Sequence, residues 1–188
     1  MFKVIQAIEA IRAANSKAAL QSALSGGLEN MGFCSYSFAH GKKSLEEIIL
    51  DPDLCSRPDE FMKEYERQGW IRKSPLVSQL IKSAGGFSWS LSTDVTAPGY
   101  HAFSEFLTSA GIHSGIIVPL SFGQNLSSIS VEANTPHQFS PEQVQKVAVI
   151  ANAAALKSEL LGTSSASAKA DENLALRVLT VRQVEILK

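Results

Sequence analysis

Residues 114–133 hold two strand patterns, Ser114 to Ser121 and Leu126 to Ala133, around Gly123-Gln124-Asn125, the composition of a hairpin turn. The clearest helix of the chain follows. Ser140 is its capping residue, Pro141 takes the first helical position and Gln143 completes a capping-box spacing. Val144, Val147, Ala148, Ala151 and Ala155 carry the apolar pattern on to Leu161, and Gly162 is expected to end it. A hairpin trailed by such a helix calls for an antiparallel sheet with a helix covering one face. The small residues of that helix also suit a dimer interface on its other side.

The upstream segments supply the remaining layers. Phe2, Ile5, Ile8 and Ile11 recur every third residue as one helix stripe, and Asn15-Ser16 caps a second helix through Leu20, Leu24 and Leu28. Residues 33–39 alternate as a strand, with Ser35 and Ser37 on one side and Tyr36 and Phe38 on the other. His40-Gly41-Lys42 is expected to turn the chain into a second strand from Glu46 to Leu50. A loop then leads to a helix near Pro58 that places Phe61 and Tyr65 on one face, and Pro75 opens another helix. Phe87-Ser88-Trp89 reads as a short strand, and a helix from about Pro98 to Ala110 buries Phe103, Phe106 and Leu107. The fold class is α/β in the α+β sense: helices on both faces of a central antiparallel sheet of about five strands.

Composition narrows the function by exclusion. The 188 residues are 45% hydrophobic and 19% charged, sufficient for one cored domain, and the formal net charge of -1 gives no global field for nucleic acid or an anionic membrane. No apolar run reaches the length of a membrane span, so a cytoplasmic chain without a cleaved signal is expected. Cys34 and Cys55 are too far apart for a zinc site and are expected to be reduced; His40, His101, His113 and His137 fall in no metal-ligand spacing. Neither a nucleophile–base pair nor a phosphate loop is visible, and the chain is read as no enzyme, with no cofactor.

Residues 162–172, GTSSASAKADE, have the small polar composition of a flexible linker and mark a domain boundary after a sensor-sized unit of residues 1–161. Beyond it, at 173–188, Thr180 and Gln183 form another capping-box spacing at the start of a second module.

That last segment carries a resemblance. Leu179-Thr180-Val181-Arg182-Gln183-Val184-Glu185-Ile186-Leu187 is similar to the opening of the helix-turn-helix domain of LuxR-type transcription regulators, Leu-Thr-x-Arg-Glu-x-Glu-x-Leu, with Gln183 in place of the first acid. Residues 1–161 resemble the autoinducer-binding domain of the same family through the ordered spacing of Phe61, Tyr65, Ser74-Pro75, Phe87-Ser88-Trp89, Gly111, Gly115 and Pro119. The resemblance implies a sensor fold of PAS/GAF type that encloses an acyl-homoserine lactone or an analogue. It also implies a homodimer, no membrane association, and DNA contact only through the helix-turn-helix domain, most of which lies beyond this sequence.

In the family, a Trp donates to the lactone carbonyl, a Tyr to the acyl carbonyl, and an Asp accepts from the amide nitrogen. This chain keeps Tyr65 and the ring-stacking Trp89, but has Phe61 for the Trp and Ser74 for the Asp. Leu76, Val77, Phe103, Ile112, Gly115, Ile129 and Val131 are expected to complete the pocket, Val131 near a strand position where relatives often place a hydroxyl. Each lost polar contact corresponds to roughly 1–3 kcal/mol, so a conventional lactone should bind poorly and a ligand with a different head group is favoured. Core alternatives stay open: Tyr65 and Trp89 as packing residues, Ser74 as the cap of the helix at Pro75, and Gly115 as a strand bulge. A rival functional reading is a ligand-independent interaction protein that pairs with full-length relatives and blocks their DNA binding.

Overall fold

The structure is a computed structural model that describes residues 2–91, 99–122 and 125–163, with backbone alone at 121, 122 and 163. Helices α1 (Phe2–Ala13) and α2 (Lys17–Glu29) lead into β1 (Ser35–Lys42), α3 (Leu45–Leu50) and β2 (Leu54–Cys55). Three short helices follow, α4 (Asp59–Arg67), α5 (Trp70–Lys73) and α6 (Pro75–Lys82), and then β3 (Phe87–Ser90) and α7 (Tyr100–Ser109). The hairpin β4 (Ser114–Phe122) and β5 (Asn125–Ala133) precedes α8 (Pro141–Thr163). All pairings in the five-stranded sheet are antiparallel, in the order β2-β1-β5-β4-β3.

The capping chemistry behaves as its sequence demands. Ser16 Oγ accepts from the Ala19 amide at 3.2 Å. At α8 the reciprocal box closes: the Gln143 amide donates to Ser140 Oγ at 3.3 Å, and the Ser140 amide donates to Gln143 Oε1 at 2.9 Å.

Three expectations are corrected. The segment Glu46–Leu50 is helix, not strand, because Ser44 Oγ caps the Glu47 amide at 3.1 Å and Glu46 and Glu47 stand in the first turn. The edge strand beside β1 is instead the two-residue β2. His40-Gly41-Lys42 does not reverse the chain: β1 continues through a bulge between Ala39 and Lys42, where Gly41 takes φ 70°. Helix α8 also runs through Gly162 to Thr163, past the expected start of the linker. The rest of that linker and the opening of the second module, 164–188, lie outside the described residues, as does the expected helix start at Pro98.

The two faces of the sheet bury different chemistry. On β5, Ile129, Val131 and Ala133 join Tyr36 and Phe38 of β1 and Ile116, Val118 and Leu120 of β4 against α1, α2 and the alanine-rich α8. The alternate β5 residues Ser128, Ser130 and Glu132 face the other way, toward an aromatic cluster built on α4–α7. No helix among the described residues is long and apolar enough to cross a membrane.

Candidate ligand cavity

The second face lines a partly open cavity of about 80 Å³. Helix α4 brings Phe61 and Tyr65 to its wall one turn apart, their ring centroids separated by 6.1 Å. Leu76, Val77 and Leu80 come from α6, Phe103 and Leu107 from α7, and Ile112 from the turn after it. Trp89 of β3 and Ile117 of β4 close another side. The aromatic rings interlock: Phe61 meets Phe106 at 5.0 Å, and Trp70 meets Phe103 edge to face at 5.1 Å.

The sheet supplies a polar floor. Glu132, with its side chain only 3% exposed, accepts from Ser35 Oγ at 2.6 Å, Ser130 Oγ at 2.7 Å and Arg57 Nε at 3.3 Å, and also pairs with Arg57 Nη2. These four donors occupy the four acceptor positions of its carboxylate. Burial acts to lower the pKa of the Arg57 guanidinium, but the Glu132 carboxylate outweighs it and the net shift is upward. Arg57 also lies over the Phe61 ring, 5.8 Å from its centroid.

Tyr65 is buried, and its phenol is pushed above the ordinary tyrosine range by burial, against the opposing hydrogen bond of Ser74 and the charge of Arg57. Ser74 is wholly buried, lies beside that hydroxyl, and also caps α6 by accepting from the Val77 amide at 3.4 Å. It is not among the residues that line the cavity. The indole N–H groups of Trp89 and Trp70 are buried without a hydrogen-bond partner among the described residues. Such an orphaned donor costs roughly 1–3 kcal/mol until an acceptor reaches it.

The expected pocket residues therefore divide. Phe61, Tyr65, Leu76, Val77, Trp89, Phe103 and Ile112 converge on the cavity. Gly115 is not among the lining residues: a Cβ there would stand 2.4 Å from the Val131 carbonyl oxygen and 2.8 Å from the Trp89 ring, so glycine is what lets the indole approach β4 this closely. Ile129 and Val131 are buried on the opposite face of the sheet, because side chains of a strand alternate and the cavity takes the even-numbered residues of β5. The hydroxyl expected near Val131 belongs to its neighbour Ser130. Arg57, Ser37, Ser128, Ser130 and Glu132 were missed. The polar alternation Ser128-x-Ser130-x-Glu132, with Ile129, Val131 and Ala133 between and after, was the available signal.

The chain thus forms an α–β–α sandwich with an aromatic, polar-floored cavity on one sheet face, and comparison with known proteins gives this arrangement a family. The model of the autoinducer binding domain family matches residues 16–158, and the chain belongs to that family, the sensor module of LuxR-type regulators. Among solved structures, the N-acylhomoserine lactone dependent LuxR family transcription factor CepR2 from Burkholderia cenocepacia superposes with a TM-score of 0.59 at 14% identity, over 84% of this chain and 92% of that one. Escherichia coli SdiA gives a TM-score of 0.65 at 12% identity, over 87% and 69% of the two chains. SdiA in complex with octanoyl-rac-glycerol gives 0.65 at 13% identity, over 98% and 80%. No curated protein matches the chain in sequence. At these identities the structures support the fold alone.

Proposed function

We propose that this domain senses a small acylated molecule held in the cavity under α4–α7. Its occupation would control pairing of the chain into a homodimer and, through it, DNA binding by the helix-turn-helix module that begins at 173–188. The observation that carries this reading is the orphaned indole N–H of Trp89 on the wall of a cavity that the buried Tyr65 also lines. Both are hydrogen-bond donors suited to a carbonyl. CepR2 is described as lactone-dependent and SdiA as a complex with octanoyl-rac-glycerol, so acylated ligands are the class to test first.

A cavity of about 80 Å³ is smaller than an acyl lactone requires, yet a second one of about 270 Å³ adjoins it and shares Leu76, Trp89 and Phe103 as a wall. Movement of that wall would join the two into one elongated site. Ligand burial then stabilises the sensor by mass action, by about 2.7 kcal/mol at a hundredfold excess over Kd. No bond is made or broken; binding energy carries the signal.

Native mass spectrometry of the purified chain with a panel of acyl-homoserine lactones, monoacylglycerols and an extract of its source cells tests the reading. One ligand per chain is expected. A chain that stays ligand-free throughout, yet forms mixed dimers with a full-length relative, would replace this function with the ligand-independent interaction role.

A further inference from the structure

The polar groups around the cavity are unequally matched. Glu132, the carboxylate among its lining residues, already receives four donors. The Tyr65 oxygen accepts from Ser74, which leaves its O–H to donate. On the donor side, the bonds of Arg57 use its Nε and Nη2, two of the three nitrogens of a five-donor guanidinium, and the indole N–H of Trp89 is buried and unpartnered. The hydroxyls of Ser37 and Ser128 on the floor donate as readily as they accept and so favour neither kind of ligand.

We infer that the cavity selects a neutral, acceptor-rich acyl compound, an ester or ketone whose polar atoms are carbonyl and ether oxygens, and discriminates against ligands that bring an amide N–H. This rests on the reading of the cavity as a ligand site. An amide N–H entering it gives up its water and meets a carboxylate with no lone pair to spare, so that only the neutral hydroxyls of Ser37 and Ser128, weaker acceptors than a carboxylate, remain for it, a penalty on the order of tenfold in affinity. A carboxylic acid is disfavoured as well, because Arg57 and Glu132 already neutralise one another and a third buried charge has no counterion.

The test is calorimetric titration of the 188-residue chain with two isosteres, N-hexanoyl homoserine lactone and the ester in which oxygen replaces the amide N–H. The ester carbonyl is the weaker acceptor, so at a site with a free acceptor for N–H the amide wins. Here the ester is expected to bind about tenfold more tightly. Equal affinities, or tighter amide binding, overturn the inference while leaving the ligand site in place. Failure of both compounds, with no ligand found by mass spectrometry either, removes the ligand site and the inference with it. Trp89→Phe is expected to weaken both isosteres by about tenfold and leave their ratio unchanged, since its N–H serves an oxygen they share; a ratio that collapses to one overturns the inference.

Discussion

The two faces of one sheet show how a single strand serves two purposes. Against α1, α2 and α8 most buried side chains are aliphatic or small, with Ile150, Ala151, Ala153, Ala154 and Ala155 of α8 fully enclosed and Phe33, Phe38 and Phe139 buried among them, and the one phenol there, Tyr36, is engaged by Ser25 at 3.1 Å. Against α4–α7 the packing is aromatic, two indole N–H groups lack partners, an ion pair is buried, and space remains. Among the described residues the first face leaves no buried side-chain donor or acceptor unpartnered, as in an ordinary core. The second carries unmet donors and a cavity, costs that an optimised core would have removed. Strand β5 separates them by parity, with Ile129, Val131 and Ala133 to the first face and Ser128, Ser130 and Glu132 to the second.

The largest effect should come from breaking the charged floor. Glu132→Ala leaves the Arg57 guanidinium buried and unpaired and is expected to lower unfolding stability by about 3–5 kcal/mol in urea titration, whereas replacing both partners with apolar residues of similar size should recover most of it. A double variant no more stable than the single one would show that the pair is not the source of the loss.

Next comes the opposite face. Ile129→Ala should cost about 3 kcal/mol by opening a hole under α8, yet leave ligand affinity per folded molecule unchanged. Weakened binding in that variant would erase the distinction between the faces. Gly115→Ala, which forces a methyl against the Trp89 ring and the Val131 carbonyl, should cost about 1–3 kcal/mol and shift tryptophan emission.

Tyr65→Phe should change stability by less than about 1 kcal/mol while weakening a carbonyl-bearing ligand about tenfold. The same residue makes a smaller, pH-dependent contribution. Its folded pKa is raised above the ordinary value of 10.0, so the stabilisation is complete below pH 10.0 and is lost as pH rises through the folded pKa. Tyr36 is shifted the same way, also mainly by burial. Alkaline unfolding should therefore move to higher pH in Tyr65→Phe and again in the double variant with Tyr36→Phe. An unmoved midpoint would contradict the burial of these phenols.

Much of the fold was legible because local signals agreed with the tertiary structure. The Ser140-Pro141-x-Gln143 box, the Asn15-Ser16 cap and the hairpin alternation each specify one local geometry, and each is present. The segment Glu46–Leu50 misled because a short apolar run fits strand and helix alike, and the deciding residue, Ser44, precedes it. The cavity's wall was legible through the family resemblance, which pointed to Phe61 and Tyr65 of α4, Phe103 of α7 and Trp89 of β3. Its floor was not, since choosing Val131 over Ser130 requires the register of β5 against β1 and β4, and a one-residue slip exchanges the faces. The Arg57–Glu132 pair joins residues 75 apart in sequence, a contact that no local pattern encodes.

The measurement that bears most directly on the difference between the two faces is a ligand titration followed by NMR of the indole N–H groups and the core methyls. The chain has two tryptophans, so two indole signals are expected, assigned through Trp89→Phe. A bound acyl ligand should move the Trp89 indole proton downfield as it acquires an acceptor, and leave the methyls of Ile129 and Val131 in place. Movement of those methyls with both indole signals unchanged would put the ligand on the other face of the sheet and contradict the assignment of the cavity.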